Sequence, residues 1–291
     1  MNRQEMIDLA KQIRSDEERP QVTPPHPPQA TTTTIQVPTS VGDVRVLCHS
    51  PIDAVEPLPG FISFHGGGFI TGTPEMDEPW NLFLAETVNC RVFNIEYPLA
   101  PEHKFPVPVH VSYEVVQWIF KQTDTLRLDP SRIAIGGHSA GGNLATAICL
   151  WNAEQVNPLP LIAQILDYPP LDLATDPAEK PFFKEAIPSE QARQFNAMYI
   201  ERSEDAYHHL ASPLYAAQLD ALPQTLVLTA EHDSLAQEAR QYAKRLQAAG
   251  VTIEHQEFAG QAHAFTHHGD LDVALQAWQR IADYLKSVYR S

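Results

Sequence analysis

The sequence predicts an α/β fold with a mostly parallel central sheet flanked by helices. Three observations carry that expectation. Short apolar runs recur along the chain, as strands buried on both faces should. Segments with helical periodicity separate them. One apolar run also ends in a glycine-crowded serine, "IAIGGHSAGGNLA", that leads straight into a further apolar segment of helical character.

The elements follow in order. Met6, Leu9 and Ile13 fall at helical spacing, so a short amphipathic helix opens the chain and stops at Pro20. The proline-rich stretch after it cannot be a regular helix, because proline lacks the donor and clashes with the preceding turn; it reads as an extended connector. "TTIQVPTS" and "DVRVLCHS" form an expected antiparallel hairpin across Val41-Gly42. Strands are then expected at 61–65, 91–97, 132–137, 161–168, 225–230 and 251–258. Helices fill the gaps, one from Ser234 with Gly250 closing it, and one carrying Leu271, Ala274, Trp278, Ile281, Leu285 and Val288 on one face. Residues 171–215 are too long for an ordinary connection and are read as an inserted helical cap. The expected organisation is 1–40 as an N-terminal cap segment and connector, 41–170 with 216–291 as the core, and 171–215 as the inserted segment.

Composition narrows the function. A formal net charge of −16 argues against a nucleic-acid surface, which needs clustered lysine and arginine, and against stable docking on anionic membranes. The charged N-terminus has no signal-peptide core, and no apolar run reaches the ~18 residues that span a bilayer. Cys48, Cys90 and Cys149 show no paired spacing and read as reduced core thiols. A cytoplasmic protein is expected.

Gly137-His138-Ser139-Ala140-Gly141 matches G-x-S-x-G, where glycines permit the strained turn that lifts a nucleophile. Upstream, "HGGGF" follows a strand. Its glycines can turn backbone N–H groups toward a developing oxyanion, and it lacks the pattern of a phosphate loop. A serine hydroxyl needs a base, and the base an orienting carboxylate. Asp233 and His263 follow in the expected chain order, each just past a strand, on the edge where such sheets place their sites.

Taken together, "HGGGF", "YPLAPEHKFP", "GHSAGGNLA", the Asp233 segment and "GQAHAF" resemble the hormone-sensitive-lipase family of α/β-hydrolase esterases, over roughly residues 60 to 290. The resemblance implies the α/β-hydrolase fold with a small two-part cap. It implies Ser139 as nucleophile, His263 as general base and acid, Asp233 as orienting acid, and an oxyanion hole of the Gly67, Gly68 and Ala140 N–H groups. The expected activity is hydrolysis of short- to medium-chain acyl esters through an acyl-enzyme. An amidase or formamidase, and a non-catalytic receptor on the same scaffold, are the competing readings.

The chain departs from the family pattern at His138, where an acid is usual, and at Pro98, Val111, Gln237 and Ala264. His138 reads as a structural hydrogen-bonding group. Phe69, Phe182, Phe183, Phe195, Met198 and Tyr199 are candidates for the substrate pocket, and packing in a helix core explains the cap members equally well. His208-His209 and His267-His268 lack ligand spacing, so no metal and no cofactor is expected. The last strand, as a sheet edge, is a candidate homodimer contact.

Overall fold

The computed structural model describes residues 2–15, 21–26 and 28–290. Helix α1 (Arg3–Ser15) precedes the hairpin of β1 (Ala30–Thr39) and β2 (Gly42–Pro51). The alternating part then runs β3 (Leu58–Phe64), α2 (Pro74–Val88), β4 (Arg91–Ile95), α3 (Val107–Lys121), β5 (Leu128–His138), α4 (Ala140–Ala153) and β6 (Leu161–Asp167). After α5 (Ser189–Tyr199) come β7 (Gln224–His232), α6 (Ala236–Ala248), β8 (Ile253–Ala262), α7 (Phe265–His268) and α8 (Leu271–Val288). All the expected strands and the hairpin are present. The expected helix stop at Pro20 lies outside the described residues.

The eight strands form one sheet in the order β1-β2-β4-β3-β5-β6-β7-β8. β2 pairs antiparallel with β1 and with β4, and every later pairing is parallel. The nearly all-apolar central strands are explained by their two buried faces. Ile62 and Ile135 point to a core shared with α3, α4 and α6, where Val115, Leu144 and Leu246 lie. Their neighbours Phe61 and Ala134 point to the opposite core, filled by Trp80 of α2 and Trp278 of α8, whose rings stack at 5.1 Å.

Chain order places the site. From β3 the chain moves to β4 on one side, then crosses back to β5 on the other. The helices after β3 and β5 leave toward opposite faces, so a crevice opens between the two strand ends. Between β6 and β7 the 171–215 stretch contains α5 and three single 3₁₀ turns. It is tied to α6 by Glu238. One carboxylate oxygen accepts from the Leu171 N–H at 2.6 Å, and the other accepts from Lys180 at 2.6 Å. Burial pushes the Glu238 carboxyl up to about 7, with Lys180 pulling the other way.

The tightest packing in the sheet lies at this crevice. A Cβ on Gly141 would collide with the Phe64 carbonyl and come within 2.5 Å of the His65 oxygen. Gly141→Ala should therefore lower unfolding free energy in urea by about 3 kcal/mol or more, or leave the protein insoluble. Gly260→Ala has open space and a φ of +69°, so it should cost only ~1–2 kcal/mol.

Candidate active site

Ser139 joins β5 to α4 with φ 49° and ψ −120°, a region that non-glycine residues avoid. The surrounding structure holds it there. Its N–H donates to the Asp167 carbonyl at 2.9 Å, and its own carbonyl accepts from Asn143 at 3.1 Å as α4 begins. Gly137 is needed because a Cβ there would lie 2.5 Å from the Phe64 oxygen. The glycines around Ser139 are thus set by how closely the elbow approaches the end of β3.

Asp233 follows β7 and His263 follows β8. These strands are adjacent and parallel, so their ends deliver both side chains to one rim. His263 Nδ1 lies 2.7 Å from Asp233 Oδ2, and His263 Nε2 lies 2.9 Å from Ser139 Oγ. A carboxylate only accepts, so Nδ1–H donates to it and Nε2 is left to accept the serine proton. The second Asp233 oxygen accepts the Leu235 N–H at 3.0 Å. Asp233 is 1% exposed, so the imidazole is oriented by a carboxylate that water does not reach.

The glycine loop faces this relay. Gly67 and Gly68 have φ of +116° and +58°, and a Cβ on Gly68 would lie 2.6 Å from the Phe195 ring. His65 anchors the loop. Its ring stacks on Tyr97 at 4.3 Å, and its carbonyl accepts the Tyr97 hydroxyl at 3.0 Å. Burial holds the His65 imidazole below its ordinary value. Position 98 carries proline where the family pattern has arginine, and Arg14 of α1 braces the same region. It donates to the Ile70 carbonyl at 2.7 Å and the Ala100 carbonyl at 2.8 Å, and pairs with Glu102 at 2.8 Å. Ala140 opens α4, so its N–H is one of the first-turn donors the helix leaves unused.

A pocket of about 540 Å³ opens over Ser139 and His263. Of the aromatic residues expected there, Phe69 and Phe195 line it. Phe182 does not: it is 90% exposed. Phe183 stacks on His232 at 5.6 Å. Met198 and Tyr199 are fully buried and pack in the core, with Tyr199 stacked on Phe69 at 3.8 Å. Packing of the segment against the core decided these positions. Ile13, Leu173 and Ile187 line the pocket instead. No local pattern pointed to them, because they come from three separate segments. Ala264 holds φ 63°, the left-handed conformation for which the family's usual glycine is suited.

His138 does not contact the serine hydroxyl. Its Nδ1 lies 3.0 Å from Asp167 Oδ2, and its ring sits 4.9 Å from that of Trp278. Burial works against its charge, yet Asp77 and Asp167 outweigh burial and raise its pKa. The Asp77 carboxyl, which burial would raise, is held down by the nearby imidazoles of His138, His267 and His65.

A family model described as the alpha/beta hydrolase fold matches residues 61–267. An arylesterase of Saccharolobus solfataricus is 34% identical over 233 residues, covering 78% of this chain and 74% of that protein. Carboxylesterase NlhH of Mycobacterium tuberculosis is 33% identical over 221 residues, covering 73% and 68%. A solved hyperthermophilic esterase from Pyrobaculum calidifontis superposes with a TM-score of 0.82 at 29% identity, covering 98% of this chain and 92% of its own.

A fluorophosphonate probe should label Ser139 stoichiometrically, as read by peptide mass. Ser139→Ala should abolish the label, and His263→Ala should slow it at least ~10³-fold. Labelling at another serine would refute the assignment.

Proposed function

The chain belongs to the α/β-hydrolase fold family, in its hormone-sensitive-lipase branch, and is a carboxylic ester hydrolase; from that premise we propose that it cleaves short- to medium-chain acyl esters by way of a Ser139 acyl-enzyme. One observation carries this reading: the 2.9 Å and 2.7 Å contacts that link Ser139, His263 and Asp233 in series at the pocket floor.

In this mechanism Ser139 Oγ attacks the ester carbonyl while His263 Nε2 takes its proton. The carbonyl oxygen becomes an oxyanion facing the N–H groups of Gly67, Gly68 and Ala140, each contributing about 3 kcal/mol to lowering the barrier. The alkoxide leaves with the proton from His263. Water then attacks the acyl carbonyl, giving its proton to the same nitrogen, and Ser139 is released with the carboxylic acid. Asp233 steadies the imidazolium at each stage and stays ionised.

The chain-length assignment rests on pocket size. About 540 Å³ accommodates a small molecule. A methylene inside gains about 0.8 kcal/mol, and one protruding into water gains nothing. Among the described residues no helix is long and apolar enough to cross a membrane. Three buried cysteines, none in a disulfide, support a reducing, cytoplasmic setting. β8 ends the sheet, which supports pairing of two copies through its open edge.

Across a series of p-nitrophenyl esters, kcat/KM should rise about fourfold per methylene while the acyl chain fits, then level off before about ten carbons. A continued rise beyond that length would overturn the assignment, and faster cleavage of matched amides would overturn ester preference. Light scattering should give about twice the 32.5 kDa chain mass; a monomer would dispose of the edge-strand contact.

A further inference from the structure

Behind the nucleophile lies a second group of polar side chains that the ester chemistry does not use. Asp77 comes from α2, His138 from the last position of β5, and His267 from α7. One ligand-capable atom of each lies within 4.8 Å of the other two. We propose that these three side chains bind one first-row divalent cation of the zinc type, through Asp77 carboxylate oxygen and the Nε2 atoms of His138 and His267.

The geometry of the three atoms is the first support. His267 Nε2 is 3.0 Å from Asp77 Oδ1, and His138 Nε2 is 3.7 Å from Asp77 Oδ2. The edge of a tetrahedron built on zinc–ligand distances of about 2.0–2.1 Å is about 3.3 Å, between those two values. His267 Nε2 and Asp77 Oδ2 are buried, and neither makes a hydrogen bond of acceptable geometry. The atoms converge on one point and are not aligned in donor–acceptor pairs.

The surroundings are the second support. His138 Nδ1–H donates to Asp167 Oδ2 at 3.0 Å. His267 Nδ1 lies 3.0 Å from Thr266 Oγ1, whose hydroxyl donates to the same Asp167 oxygen at 3.0 Å. Donation from Nδ1 leaves the Nε2 lone pair facing inward. A histidine whose outer nitrogen is held by a carboxylate is the arrangement that orients metal ligands.

Charge is the third. Asp77 and Asp167 are 2% and 0% exposed, and among the described residues their ion pairs are with histidine, with no lysine or arginine. Two buried carboxylates and one divalent cation sum to zero. Two imidazoles with one carboxylate are also a donor set that zinc accepts. All three residues border the pocket over Ser139, which gives the ion an entry path.

The cation serves as a clamp. It draws α2, the elbow residue before Ser139 and the short helix after His263 to a single centre. It takes no part in bond making, so the proposal stands apart from the ester-hydrolysis reading.

The test strips the full-length protein with a chelator and titrates it with Co²⁺, whose tetrahedral complexes absorb in the visible. One equivalent should bind with tetrahedral bands and a Kd below about 1 μM. Zn²⁺ should displace it and raise Tm. Asp77→Asn and His267→Gln should each weaken binding at least ~100-fold. His209→Ala should leave it unchanged, since that imidazole pairs with Glu154 at 2.7 Å. Failure of wild-type protein to bind one equivalent overturns the proposal, whether or not the variants fold. Undiminished binding by a folded Asp77→Asn protein also overturns it. Ester hydrolysis is not the readout, so the two readings fail separately.

Discussion

The close approach of two backbones governs this site. At the C-terminal ends of β3 and β5, the Phe64 and His65 carbonyls press against the elbow so tightly that Gly137 and Gly141 have no room for a Cβ. That contact fixes Ser139 at φ 49° and brings the glycine loop after β3 to the side of the same pocket. A strained residue persists only when its neighbours over-determine it. Here the Asp167 carbonyl, the start of α4 and the end of β3 all restrain the one turn.

The polar side chains around this turn are arranged in layers. Asp233 gives one oxygen to His263 and the other to a backbone N–H, so neither is left unpaired in a water-excluded place. Asp167 anchors the elbow by its carbonyl and holds His138 and Thr266 by its carboxylate. The histidine at 138 therefore accompanies a reorganised set of neighbours: a carboxylate beside it on β6, another on α2, and a second imidazole on α7. The glycine loop is braced from outside by Arg14, so α1 contributes to the site without touching the serine.

The segment between β6 and β7 supplies part of the pocket wall and is held by few but buried contacts. Lys180 and Glu238 neutralise each other inside, and the Leu171 N–H completes the carboxylate's hydrogen bonds. Removing either partner strands a charge in a place where it is costly. α5 places Phe195 over Gly68, and its neighbours Met198 and Tyr199 turn inward to fasten the helix. Packing thus divides one short helix between pocket and core.

The sequence by itself determined the architecture, because strands buried on both faces must be apolar and crossover helices must be periodic. It also determined Ser139, Asp233 and His263: a sharp turn demands glycines, and an open α/β sheet places reactive groups past its strand ends. Local chemistry leaves a local trace in these cases. Tertiary structure alone decided which aromatic side chains border the pocket, since Phe182 and Phe195 sit in one polar and aromatic stretch and differ only in what packs above them. It alone brought Arg14 to Glu102, and Asp77, His138 and His267 to one buried centre. Those partners lie far apart along the chain, so no spacing announces them. Their meeting depends on the register and order of strands that the whole core must settle together.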